Sequence, residues 1–342
     1  MRNGKKNRTY HQTGLIIFFL LLSGFPVVFG QDVSFSQYYA NPLYLNPAFA
    51  GSAGVPRVAL QYRDQWQQFD QAYTTYSAAI DLPVNFLQGG IGIHVLNDAQ
   101  AGNMLNSFQI NGSYSVYIRL NEAFKLHGAL QSGYNQNSID VNKLVFADNL
   151  DINYGHHGST AEVITEPNHS FVDFSTGLLV YSKRLFFGGA LHHLTEPKMS
   201  YSTGSDQQGK LDRKYTAHAG ARLPVFRYGH LRRKFDVSPQ LIAQKQGVST
   251  QINYGMFAMK HGLTAGAWFR QNFGIRYDAM ILLVGFVNKR MQFTYSYDWT
   301  LSGLSAASGG TSEISLTFLL KESRKNYELP FFSPYDDSFG VQ

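Results

Sequence analysis

The chain carries two histidine pairs, His156-His157 and His192-His193, and a few charged residues in polar or aromatic surroundings, among them Arg63, Asp64 and Glu313. Paired imidazoles raise the question of a metal site, and clustered charges that of acid–base catalysis. Adjacent residues on a strand point to opposite faces, and no Cys or HExxH pattern completes a ligand set, so the histidines read as loop or interface residues. Fingerprints of the GxSxG, P-loop and dinucleotide types are absent. Arg63, Asp64 and Glu313 are expected to face an interior or its rim and brace it. The expectation is a non-enzymatic protein without catalytic residues, cofactor or metal.

The elements that would position these residues are strands. In Met291 to Leu301, MQFTYSYDWTL, the apolar and aromatic residues Met291, Phe293, Tyr295, Tyr297, Trp299 and Leu301 alternate with Gln292, Thr294, Ser296, Asp298 and Thr300. Rings at period two read as lipid-facing or girdle residues rather than a sugar platform. The pattern recurs in Phe108 to Leu120 and in about fourteen runs in all, starting near Arg57, Ala72, Gly89, Ser107, Phe124, Phe171, Leu185, Lys214, Phe235, Thr250, Leu263, Tyr277, Met291 and Ser312. A soluble sandwich also alternates. Run length near that of a tilted membrane strand, and the even count, point to a transmembrane antiparallel β-barrel.

The connections alternate as well. One set is mostly tight, at Asn121, Ser182, Lys260 and Asn288, with a longer exception from Pro224 to Lys234. The other includes the long stretches Ser138 to Asn168 and Thr195 to Arg213 and the Gly/Ser-rich run from Ser302. This asymmetry is that of an outer-membrane barrel with short periplasmic turns.

Residues 1–30 read as a secretory signal: Arg2, Lys5, Lys6 and Arg8, then GLIIFFLLL, then a small-residue exit at Gly30. Removing these four positive charges takes the formal net charge from +6 to +2. With one short basic cluster, Arg227 to Lys234, the remainder offers no nucleic-acid stripe. Zero Cys in an exported chain leaves stability to a large core or a closed sheet. The division expected is 1–30 signal, 31–55 periplasmic or plug segment, 56–320 barrel and 321–342 periplasmic tail, with both ends of the barrel chain on the periplasmic side.

The stretch SQYYANPLYLNPAFAG, Ser36 to Gly51, belongs to no strand. Asn is a good helix N-cap and Pro suits the first helical position, so Asn41-Pro42 and Asn46-Pro47 are each expected to start a short helical turn. The result is an aromatic knot that plugs the barrel or meets a partner.

On QDVSFSQYYANPLYLNPAFAGS, with RVALQYRDQW at Arg57 to Trp66 and Tyr73 to Ser77, the chain resembles the PorP/SprF family of type IX secretion system outer-membrane proteins. The signature maps onto Asn41, Pro42, Asn46, Pro47, Ala48 and Gly51, with Tyr62, Arg63, Gln65 and Trp66. The resemblance implies a fatty-acid-transporter-like barrel in outer-membrane lipid with a role in protein export. The implied partners are cargo bearing a type B C-terminal sorting domain, such as gliding adhesins, or the secretion translocon and its periplasmic ring. A channel for small or hydrophobic ligands is the alternative use of such a barrel.

Overall fold

The alternating runs fold as strands whose polar faces share one interior. The computed structural model describes residues 31–320 apart from 70–71, 145–149, 152–154, 157–166, 183, 200–208, 226–234, 274, 289 and 302–307. The expected signal and C-terminal tail, most of the Pro224 to Lys234 turn and His157 lie outside the described residues. The strands are β1 Arg57–Gln65, β2 Tyr73–Val84, β3 Gly89–Gln100, β4 Leu105–Arg119, β5 Lys125–Ile139, β6 Asn168–Tyr181, β7 Leu185–His192, β8 Lys214–Ala221, β9 Phe235–Gln246, β10 Ser249–Lys260, β11 Leu263–Asn272, β12 Ile275–Val287, β13 Met291–Thr300 and β14 Thr311–Leu319. Each expected run has its strand.

Sequential antiparallel pairing links neighbours all the way round. β8 also pairs with β9, in the register Lys214↔Gln246, and β1 pairs with β14, Arg57↔Leu319, so no edge remains open. Closure satisfies every ladder in a medium that offers no water to an edge. A short piece, Leu223–Val225, extends the β8 side of the β9 pairing. The connections at 85–88, 120–124, 261–262 and 288–290 define a short-turn end, and those at 140–167 and 193–213 a long-loop end. The first of these long loops holds a two-residue hairpin, Leu150–Asp151 with Gly155–His156.

The barrel is turned inside out relative to a soluble protein. Gln292, Thr294, Ser296 and Asp298 of β13 are buried, while Phe293 and Trp299 on its other face are exposed. Leu60, Ile93, Leu130, Leu178, Phe187 and Leu282 are likewise exposed from six other strands. An apolar band on this scale far exceeds what a water-soluble monomer shows and is the lipid-facing belt of a membrane barrel. The interior is less uniformly polar than the alternation implies: Ile242, Phe257, Met259, Trp268 and Ile281 point inward and form one apolar cluster with Tyr38, Tyr39, Leu45 and Phe49.

Those last four belong to the N-terminal segment, which fills the lumen from end to end. Asp32 meets Lys214 and Gln246, where β8 starts and β9 ends, at the long-loop end. Gly51 reaches the short-turn end, where its N–H donates to Asp81 at 2.9 Å and its φ is 69°. There the two backbones approach so closely that a Cβ on Gly51 would lie 2.6 Å from the Gly90 Cα. The segment is therefore a through-lumen plug rather than a knot at the periplasmic rim. The barrel's own ends, Arg57 and Leu319, pair at the short-turn end and so share a side as expected, whereas the plug's first residues lie at the opposite end. The reason is length: twenty-odd residues of short helical turns and extended chain span the barrel before β1 begins.

Leu282 sits near the middle of β12 and faces outward. Leu282→Arg should cost about 2–4 kcal/mol of folding free energy, as expected for a cation on the lipid face at the midplane. Urea titration of the barrel refolded into phosphatidylcholine vesicles measures it; an unchanged midpoint would place this face away from lipid.

Candidate functional site

The plug is held by polar anchors at four heights. Toward the long-loop end lies a buried charge quartet on β1, β11, β13 and β14. Arg63 Nη1 lies 2.8 Å from Glu313 Oε2 and 3.5 Å from Asp298 Oδ2, and Arg270 Nη2 lies 2.9 Å from Asp298 Oδ2. Asp278 adds a third carboxylate, 3.7 Å from Arg270 Nη1, and the geometry is finished by the plug. Backbone N–H groups of Ser36 and Gln37 donate to the two Glu313 oxygens, each at 2.8 Å. The Ser36 hydroxyl donates to Asp298 at 2.5 Å and accepts from Arg63 and Arg270 at 2.8 and 2.6 Å. Gln61 adds a further donor to Glu313. Buried charges survive only when paired and saturated with hydrogen bonds, so plug and quartet require each other.

Below it sit the Asn-Pro pairs. Pro42 opens a single helical turn, Pro42–Leu45, and Pro47 a 3-10 turn, Pro47–Phe49. Asn46 caps the second, accepting from Ala48 N–H at 2.9 Å. Its amide N–H groups reach the wall carbonyls of Leu178 and Gly189 and the His218 Nε2 at 3.0, 3.1 and 3.1 Å. Gly177 makes this possible, because a Cβ there would overlap the Asn46 side-chain oxygen. Asn41 departs from expectation: it makes no capping bond. Its amide donates to Ser77 at 2.6 Å and lies 3.3 Å from His94 Nε2, so docking to the wall has displaced capping. The Ala48 carbonyl accepts from His127 Nδ1 at 3.2 Å.

At the short-turn end Arg57 and Asp81 form a buried pair at 2.8 Å; Arg57 also donates to the Phe49 carbonyl, at 3.3 Å. At the long-loop end Asp32 Oδ2 lies 2.9 Å from His193 Nε2 and 3.3 Å from Lys214 Nζ, while His193 Nδ1 lies 2.7 Å from Asp173 Oδ2. His192 and His193 are both buried, contrary to the opposite-faces expectation. His193 follows the last residue of β7 and takes φ 58°, which returns its ring to the lumen. Burial by itself would lower the His193 pKa, but Asp32 and Asp173 on its two nitrogens raise it to about 9. Burial pushes the Asp32 carboxyl upward, yet His193 and Lys214 hold it well below the usual carboxylate range.

The remaining signature residues divide. Gln65 accepts from Arg63 at 3.3 Å. Tyr62 faces outward, its ring 5.2 Å from that of Tyr76. Trp66 turns the chain at the long-loop end with φ 62°, its N–H on the Gly310 carbonyl at 2.8 Å and its ring 5.3 Å from Tyr73. Of the two places expected for Asp64, interior or rim, it takes the rim: it alternates to the outer face of β1, beside Gln67. Reading the sequence missed Ser36, Gln37, Arg270 and Asp32 as anchors. Arg270 and Asp298 lie at lumen-facing positions of their strands, the one signal that could have found them. Among the described residues no group of three or more His, Asp or Glu is placed to hold a metal ion.

The model of the type IX secretion system membrane protein family PorP/SprF matches residues 27–318. Among solved structures, the Acinetobacter baumannii outer membrane protein Omp33 is 9% identical with a TM-score of 0.41, over 78% of this chain and 97% of that one. A Pseudomonas aeruginosa FadL homologue is 12% identical with a TM-score of 0.39, over 81% and 93%. The KdgM porin is 7% identical with a TM-score of 0.35, over 77% and 98%. No curated protein sequence matches the chain.

Glu313→Ala removes the nearest carboxylate to Arg63 and leaves two plug N–H groups without an acceptor. It should destabilise the barrel by about 3–5 kcal/mol, as for removal of one partner of a buried pair. The temperature at which the folded, fast-migrating gel band is lost reports the change. The Asp32 latch has a pH window of its own. His193, raised, contributes stability fully below about 6.5 and loses it as pH rises through about 9. Asp32, depressed, contributes above about 3.9 and loses it as pH falls. Amide exchange of residues 31–35, corrected for intrinsic rate, should be slowest between about pH 4 and 6.5 and clearly faster at pH 10; a flat profile would remove His193 from the latch.

Proposed function

Because the chain belongs to the PorP/SprF family of type IX secretion system membrane proteins, we propose that it is an accessory barrel that binds, helps export or retains at the cell surface cargo carrying a type B C-terminal sorting domain. The role is non-enzymatic: recognition falls to the long-loop end, facing outward, chiefly to Ser138–Asn168 and Thr195–Arg213. Large gliding adhesins are cargo of the kind this reading expects, and other secretion-system components are its further partners. The observation that supports a binding role over a conducting one is the lumen itself. Leu43, Leu45 and Phe49 of the plug are fully buried, and each apolar side chain so buried contributes about 1.5–3 kcal/mol. A barrel closed this firmly leaves its loops and outer mouth, not a through-channel, available for recognition.

Purified barrel with both long loops shortened to tight turns should fail to capture a type B sorting domain that the intact protein captures. Equal capture by the two would move recognition elsewhere. In a planar bilayer the intact protein should conduct negligibly, and deletion of residues 31–55 should open a steady conductance; steady current through the intact protein would favour a small-molecule channel.

A further inference from the structure

Asp32 occupies a built carboxylate site at the long-loop mouth. Lys214 and Gln246, which end β8 and β9 there, and His193 from the turn after β7 converge on its two oxygens at 3.3, 3.4 and 2.9 Å. All three are more than nine-tenths buried. Gln246 also accepts the Asp32 backbone N–H at 3.0 Å, so one side chain reads a carboxylate and a peptide N–H of the same residue. Asp173 orients the imidazole from behind, at 2.7 Å. These are the requirements for recognising a peptide, not merely an anion.

Beside the site lies a narrow cleft of about 20 Å³, lined by the amides Gln109, Asn111, Gln131 and Asn135. Two buried imidazoles also line it, and His192 Nε2 and His94 Nδ1 have no hydrogen-bond partner. Amide side chains offer both donors and acceptors, the complement of a peptide backbone. The strap that occupies the carboxylate site is more exposed than the chain that follows it. Gln31 is exposed and Asp32 to Ser34 are half-buried, whereas Ser36 to Leu43 are buried against the quartet and the apolar cluster.

We propose that the mouth of the lumen is a binding site for a carboxylate-terminated peptide, with Asp32 as its resident stand-in and the C-terminal carboxylate of an exported polypeptide as the incoming ligand. The exported polypeptide's identity rests on the cargo reading above; the site chemistry does not. Exchange of one carboxylate for another keeps Lys214 and His193 paired throughout, so opening the strap strands no buried charge. The plug from Ser36 onward stays seated, and the lumen stays closed while the mouth changes occupant.

The test uses the full-length protein in detergent, as wild type, as Asp32→Asn, and with residues 31–34 deleted behind the intact leader. The probe is a fluorescein-labelled hexapeptide ending in Val-Ser-Gln with a free carboxylate, beside its C-terminally amidated twin. The strap-deleted and Asp32→Asn proteins should bind the acid at least tenfold more tightly than the amide, and more tightly than wild type does. Adding Lys214→Gln or His193→Gln should abolish the preference. Equal binding of acid and amide, or no binding to either strap variant with the gel-mobility signature of a folded barrel intact, overturns the proposal. Acid-selective binding without capture of a sorting domain would keep the site and remove the cargo reading; loop-dependent capture without acid preference would do the reverse.

Discussion

The Glu313 carboxylate is wholly buried in the barrel wall, and the rest of the structure is arranged around keeping it satisfied. Arg63 and Gln61 come from the neighbouring strand, but two of its donors are backbone N–H groups of the N-terminal segment. An ionised carboxylate moved out of water is tolerable only with such saturation. The barrel wall therefore carries a demand that only a threaded chain meets. Ser36 meets a second one by joining Asp298 to both arginines through a single hydroxyl.

The same segment reconciles two faces that would otherwise conflict. Toward the short-turn end the inward side chains include Phe257, Met259 and Trp268, which an open aqueous bore would leave wet. Tyr39 packs edge-on against Phe257 at 4.8 Å, and Phe49 joins the same cluster, so the wall's inner apolar patch and the plug's aromatic residues bury one another. Polar anchors above, at and below this patch set the register, and the apolar contact supplies most of the holding energy. A plug tied to β1 at one end of the barrel and latched at the other also links the two ends mechanically, without a moving wall.

How much of this could be read in advance differs residue by residue. The strand runs were legible because side chains alternate with a period of two, and lipid outside with plug and polar groups inside enforces that period along every strand. Asn46 could be read as a cap because capping is local: the donor lies two residues on. Asn41 has the same local sequence, yet Ser77 and His94, far along the chain, compete for its amide and win. His193 broke the alternation rule because its backbone leaves the strand conformation at that residue. Asp64 obeyed the rule and so takes the rim, on the outer face, rather than the interior.

The sequence by itself determined the class of the protein: alternation sets the strands, their even number and turn asymmetry set a membrane barrel, and the Asn-Pro signature marks the chain's family. All of these are written in nearest-neighbour order, where local geometry dominates. Only the tertiary structure decided that the N-terminal segment runs the full length of the lumen, that Ser36 and Gln37 complete a charge quartet, and that Asp32 fills a carboxylate site at the far mouth. Those contacts join residues more than a hundred positions apart, such as Asp32 with Lys214 and Gln37 with Glu313. Their partners are chosen by barrel closure and by the energetic penalty on unpaired buried charge, neither of which exists until the strands have closed.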